Sequence, residues 1–413
     1  MVRVRPFAAL RPVRELADKI ASPPYDVLKS DEARAIISKN EYSFLKVIKP
    51  EATLSPDTDQ YDQKVYQRGK ENLDAFRKAG WLRQDDKPHL YAYRQVMGNH
   101  SQLGLVACAS TLDYEADRIK KHELTREAKE KDRMTHIETL NAQAGPVFLT
   151  YKADREVDTL MEQATKGVPE YDFTDELNVR HTFWVIEDEA IQNGIIGRFA
   201  QMDRMYVADG HHRSASATAI MKKRRKDAGD AFTGNEEYER FLSVIFPHDQ
   251  MHIMPYNRVV KEVPEGKPDD LLKKLEKTFN VVRVETGEST GVHDMRIFTE
   301  GSWFKLTLSK ARSTPSDPVA SLDCAILQQN ILEPFLGIAN PRTSDNIDFV
   351  GGIKGVTELE GLVTSGEYQV AFSLYHVTID QLMAIADAGK IMPPKSTWFE
   401  PKLRSGVAVH LLD

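Results

Sequence analysis

The stretch Tyr206-Val207-Ala208-Asp209-Gly210-His211-His212-Arg213-Ser214-Ala215-Ser216-Ala217 decides how this chain is read. An apolar, β-favouring run ends in Asp-Gly. Two histidines and an arginine then open a segment of small residues. The pattern predicts a strand, a tight turn at Gly210 and a helix running to about Arg225. The first N–H groups of a helix have no acceptor within it, and Arg213 sets a planar, permanently charged fork beside them. Such a junction suits phosphate or another anion. The plainer alternative is a capped helix whose histidines satisfy neighbouring groups.

Working outward, residues 182–186 read as a strand, 189–200 as a helix and 241–246 as a buried strand. Nearer the start, a helix is expected over 30–39, a strand over 43–48 and a long amphipathic helix over 58–79. Strands at 89–96 and 102–112 are joined at Gly98-Asn99 as a hairpin. Beyond 267 come a helix at 269–279, several strands, two Gly- and Pro-rich stretches (340–355 and 391–406) and a strand at 407–412. The interleaving gives an α/β chain, α+β in the sense of mixed sheets. Its expected parts are 1–165, with a basic helix, then 175–262, with the phosphate-binding turn, and 267–413, with the Gly/Pro-rich loops.

The 413 residues, 41% hydrophobic and 28% charged, are those of an ordinary soluble globular protein. A net charge of −7 gives no electrostatic footprint for nucleic acid. Two cysteines are too few for a disulfide framework or a cysteine-based zinc site. No apolar run reaches membrane-spanning length and the first residues lack a signal-peptide core, so the expected location is cytoplasmic.

Three further features carry potential chemistry. If 119–140 is one helix, His122, Arg126, Lys129, Arg133 and His136 share a face, and with Lys120 and Lys121 nearby they make a basic ridge suited to a polyanion. Glu123 lies beside it as a candidate base. Glu187, Asp188 and Glu189 follow a strand whose end is expected to meet the Asp209 turn, or else they complement a helix dipole. The C-terminal loops bring Lys395, Lys402 and Arg404 among glycines without Walker spacing. The turn Pro23-Pro24-Tyr25-Asp26 is expected to direct Asp26 into the same cleft. No metal site is expected, since adjacent His211 and His212 diverge. The run Lys222-Lys223-Arg224-Arg225-Lys226 matches a helix C-terminus.

Almost the full chain resembles the DUF1015 family. The resemblance rests on Arg5-Pro6-Phe7, Pro23-Pro24-Tyr25-Asp26-Val27, Ile119-Lys120-Lys121-His122-Glu123 and Ala208-Asp209-Gly210-His211-His212-Arg213. It continues through Met254-Pro255-Tyr256-Asn257-Arg258, Asp348-Phe349-Val350-Gly351-Gly352 and Met392 to Phe399. The unit around 180–260 also resembles the ParB/sulfiredoxin superfamily, and within it the nucleotide-dependent free serine kinases. In those kinases a similar turn holds phosphates and a glutamate activates the serine hydroxyl. Sulfiredoxin chemistry needs a cysteine where His211 and His212 stand, and a partition role is disfavoured by the acidic charge.

The resemblance implies a phosphotransferase on a small hydroxylated metabolite, best matched by free serine or phosphoserine, in either direction. ATP or ADP is the implied cofactor, with Mg²⁺ brought in by it. The expected catalytic residues are Asp209, His211, His212 and a glutamate, Glu123, Glu187 or Glu189. Nucleotide contacts are expected from Gly210, Arg213, Ser214, Lys121, His122, Arg126, Lys129, Arg133, Lys395 and Arg404, with His211, His212 and Arg213 as cations. The alternative is a non-enzymatic nucleotide-binding sensor. Oligomeric state is not legible.

Overall fold

The computed structural model describes residues 1–264, 268–309 and 314–413. The chain forms two compact units, one of residues 1–251 with 401–413 and the other of residues 252–400.

The first unit is organised by a mixed nine-stranded sheet. Its strands are β1 (Val4–Arg5), β2 (Leu90–Met97), β3 (His100–Ser110), β4 (Ile119–Lys120), β5 (Val147–Tyr151), β6 (Tyr171–Thr174), β7 (Val179–Ile186), β8 (Met205–Asp209) and β9 (Arg240–Pro247). They lie in the order β4-β8-β5-β9-β3-β2-β7-β6, with β1 paired to β3. The expected hairpin is β2–β3, in antiparallel register from Tyr91↔Val106 to Met97↔His100. Strands from both sides of residues 165–175 share this one sheet, so contacts join what the sequence reading divides there. The other expected boundary, at 262–267, falls partly outside the described residues.

Helices α1 (Gln63–Lys78), α2 (Glu127–Leu140), α3 (Glu189–Phe199) and α4 (His211–Ala228) complete the frame. Val147, Leu149, Val207, Phe241 and Ile245 form part of a core shared with Ile195 and Phe199 of α3. Each such side chain contributes about 1.5–3 kcal/mol when fully buried. The expected strand at 43–48 is instead a helical turn, Leu45–Ile48, buried with Phe44 against Leu73 and Phe76. A short apolar run enclosed by core carries no periodicity to separate the two forms. Residues His410–Leu411 pair with Ala142–Gln143, which ties 401–413 into this unit.

The second unit has a six-stranded antiparallel sheet of β10 (Tyr256–Val260), β11 (Phe279–Val284), β12 (Met295–Thr299), β13 (Ser302–Leu308), β14 (Ile347–Gly351) and β15 (Val370–Ser373), in the order β11-β13-β12-β15-β10-β14. Both units therefore mix helices with sheet, as the sequence reading expects. Among the described residues no helix is long and apolar enough to cross a membrane.

Candidate functional site

The strand β8 ends at Asp209, Gly210 takes φ +97, and α4 starts at His211, three residues earlier than the small-residue run suggests. The helix can begin this close because its small residues permit a tight approach to α2. Ser214, Ser216 and Ala217 are buried, and the Ser216 hydroxyl donates to the Glu130 carbonyl at 3.0 Å. Among the described residues no side chain caps the helix at Gly210.

Arg213 folds back over the turn. Its guanidinium donates to the Pro146 carbonyl, lies 3.5 Å from Asp209 Oδ1 and 3.9 Å from Asp26 Oδ2, and leaves its buried Nε without a partner. Burial opposes the charge on Arg213, but Asp26 and Asp209 hold it ionised. Burial likewise opposes ionisation of Asp209, yet Lys402, 3.2 Å away, and Arg213 hold the carboxyl well below its usual range. Asp26, expected in this cleft, lies beside Arg213, and Lys402, whose reach to the turn the sequence leaves open, meets Asp209.

The histidines do not act as expected. His211 is buried edge-on against His122, with ring centroids 4.4 Å apart, and its Nε2 has no hydrogen-bond partner. Burial, reinforced by the neighbouring His122, pushes His211 well down, and burial pushes His122 down to about 4. His212 Nε2 accepts the Arg126 backbone N–H at 3.1 Å, so this ring is neutral too, and burial and then Arg126 lower it. At neutral pH the charge at the turn comes from Arg213 and Lys402, not from the imidazoles.

Glu123 Oε2 stands 3.9 Å from His211 Nδ1, because β4 runs parallel to β8 and delivers the following loop to the same end. Glu187 is not brought here. It follows β7, separated from β8 by four strands, about 24 Å at ordinary strand spacing. Asp188 caps α3, accepting from the N–H groups of Ala190 and Ile191, so these acids serve the helix end.

The single basic ridge is also corrected. Residues 119–126 are a strand and loop, since Ile119 is buried in register with Met205, and α2 starts only at Glu127. Lys121 lies over the Tyr114 ring and Lys129 over the Tyr61 ring. Arg133 is half-buried, paired with Asp132 at 2.8 Å and stacked 4.1 Å from the centre of the Tyr25 ring. His136 donates to the Val47 carbonyl at 2.9 Å. Ser214 turns its hydroxyl back to the His211 carbonyl at 3.1 Å. Arg404 pairs with Asp175 and Glu176 rather than with the turn. Lys395 lies in the second unit, above the Tyr256 ring.

Sequence reasoning missed the Gly145-Pro146 segment, which passes along Arg213 and supplies its carbonyl acceptor. It also missed the pocket beside Arg213, lined by Tyr25, Arg133, Gln143, Ala144 and Phe241 among others. The Gly-Pro dipeptide before β5 is the one signal that marks the first.

The family model described as "Protein of unknown function (DUF1015)" matches residues 4–325. The chain belongs to the DUF1015 family. No curated protein matches this DUF1015 chain by sequence. Among solved structures it is similar to free serine kinase in complex with AMP, at 14% identity and a TM-score of 0.35, covering 71% of this chain and 89% of that one. It is similar to a conserved hypothetical protein from Pyrococcus furiosus, at 14% identity and a TM-score of 0.35, covering 71% and 93%. A truncated SbnI from Staphylococcus aureus is similar at 11% identity and a TM-score of 0.38, covering 74% and 87%. At these scores the likenesses carry no argument about activity.

Proposed function

We propose that this protein is a nucleotide-dependent phosphotransferase acting on the hydroxyl of a small metabolite, with free serine or phosphoserine as the leading substrate. The observation that carries the reading is Arg213. It is a half-buried guanidinium whose buried Nε has no hydrogen-bond partner among the described residues, fixed over the uncapped start of α4. Backbone N–H groups, Arg213 and Lys402 match the oxygens of a phosphoryl group in charge and donor type. Asp26 and Asp209, both flanking Arg213, are the carboxylates suited to Mg²⁺ arriving with a nucleotide.

Phosphoryl transfer asks for positioning and neutralised oxygens more than for a protein nucleophile. Glu123 takes the role of base. Its carboxylate accepts the proton of the substrate hydroxyl as the new O–P bond forms and the bond to the leaving phosphate oxygen breaks. Neutral His211 lies between Glu123 and His122, its Nδ1 3.9 Å from this carboxylate. In the reverse sense the same groups return the proton to the departing serine oxygen.

The test is phosphorus NMR on the pure protein with Mg²⁺, using L-serine with ATP or ADP and, separately, O-phospho-L-serine with AMP, ADP or water. Gain or loss of phosphoserine, abolished in Arg213→Ala, supports the reading and fixes its direction. Nucleotide binding without turnover, lost in the same variant, replaces it with a nucleotide sensor. Neither turnover nor binding overturns both.

A further inference from the structure

The 252–400 unit contains a second pocket, made from motifs to which the Asp209–Arg213 turn gives no role. Strand β10 pairs with β14, placing Tyr256 opposite Gly351 and Arg258 opposite Phe349, while Ile253–Met254 pairs with Trp398–Phe399. The fit leaves no room for side chains at the two glycines. A Cβ on Gly351 would fall 3.0 Å from the Trp398 ring, and one on Gly352 only 2.7 Å from the Pro255 carbonyl oxygen.

This packing holds Arg258 inside the unit at 4% exposure. The guanidinium donates to the Tyr256 and Lys395 carbonyls and lies 5.5 Å from the centre of the Phe349 ring. The ionisable groups facing it are Cys324, Tyr256 and, more weakly, Asp323. The Asp323 carboxylate is already engaged by His293, at 2.8 Å from Nδ1 and 3.0 Å from the backbone N–H. Among the described residues Arg258 has no ion-pair partner. A buried cation without a counter-charge is costly, and one side of this guanidinium borders a small cavity. That space is lined by Arg258, Cys324, His376 and Ser396 on its polar side and by Leu322 and Leu374 on its apolar side. Ser396 Oγ donates to the Pro393 carbonyl at 2.7 Å, so the Cys324 thiol, 3.3 Å away, donates to Ser396.

We propose that this pocket binds a small carboxylate-bearing metabolite, with its carboxylate on Arg258 and its carbon skeleton against Leu322 and Leu374. One buried positive charge beside an apolar wall matches a monoanion. A doubly charged phosphate would replace an uncompensated cation with an uncompensated anion. Burial works against the charge on Arg258, and a bound carboxylate offsets that effect.

Cys324 provides the readout. Iodoacetate and iodoacetamide alkylate the same thiol by forming an S–C bond with loss of iodide, the thiol proton passing to solvent, but only iodoacetate carries a carboxylate. Full-length protein is treated with each reagent, and Cys324 modification is followed by peptide mass spectrometry, with rates normalised to those of glutathione. The expected result is a preference of about tenfold for iodoacetate, as for an anion concentrated in a cationic cleft. Millimolar acetate or pyruvate should suppress it, inorganic phosphate should not, and Arg258→Gln should abolish it. The acetate competition needs no variant, so misfolding of Arg258→Gln does not decide the matter. Equal normalised rates, a preference that survives in a folded Arg258→Gln protein, better protection by phosphate than by acetate, or no alkylation by either reagent would each overturn the proposal.

Discussion

Arg213 occupies the space that a side chain at residue 210 would need. A Cβ on Gly210 would fall 3.1 Å from Arg213 Nε and 3.2 Å from Cζ, and the backbone there has φ +97. Gly210→Ala therefore combines left-handed strain of about 1–2 kcal/mol with displacement of the guanidinium. Chemical denaturation should show that loss of stability. Nucleotide affinity, measured by calorimetry, should fall as it does in Arg213→Ala.

Glu123→Gln tests the assignment of the base. The exchange keeps size and removes the carboxylate, so nucleotide affinity should stay near that of the parent. The turnover rate should drop by about 10²–10⁴. A Glu187→Gln protein, altered four strands away, should turn over at the parental rate. Reversal of these two results would remove Glu123 from the mechanism.

His212 supports α2 rather than supplying charge. Its Nε2 accepts the N–H of Arg126, the residue preceding that helix. His212→Ala should cost about 1 kcal/mol of stability, the usual size of a lost N-cap bond. Hydrogen exchange should quicken in the first turn of α2 while α4 stays protected.

His136 makes the protein sensitive to acid. Burial pushes its imidazole down to about 4, against the bond it donates to the Val47 carbonyl. The unfolded chain takes up this proton first, near 6.5, so acid favours the unfolded state. Stability should be intact above about pH 6.5 and decline as the pH falls toward 4, by on the order of 3 kcal/mol from this residue alone. Urea midpoints across that range, compared with those of His136→Gln, should show a shallower slope in the variant.

The features legible in the sequence are those governed by local chemistry. The Asp209-Gly210 turn, the β2–β3 hairpin and the presence of a helix after the turn follow from strand propensity, glycine and short-range periodicity. Asp26 was legible as a turn residue, although its 3.9 Å approach to Arg213 depends on tertiary placement. The basic ridge was misread because helical spacing was extended back through Ile119, whose burial beside Met205 outweighs that periodicity. Strand order was not legible, and it separates Glu187 from the turn. Arg404 is a similar case: its carboxylate partners lie more than 220 positions earlier. No local pattern distinguishes a cation waiting for a ligand from one already neutralised at such a separation.

The Lys402–Asp209 pair gives the protein a temporal order. Residues 252–400 interrupt the first unit, and the segment after them returns to it through Lys402 and the His410–Leu411 strand. A ribosome making this chain exposes Asp209 and Arg213 long before Lys402 emerges. The nascent turn must wait for nearly half the polypeptide before its carboxylate meets the lysine. The interruption leaves and re-enters at adjacent points, where Glu400 N–H donates to the His252 carbonyl at 3.1 Å. Once the second unit has folded, that bond returns residue 400 to the side of residue 252, where the first unit broke off.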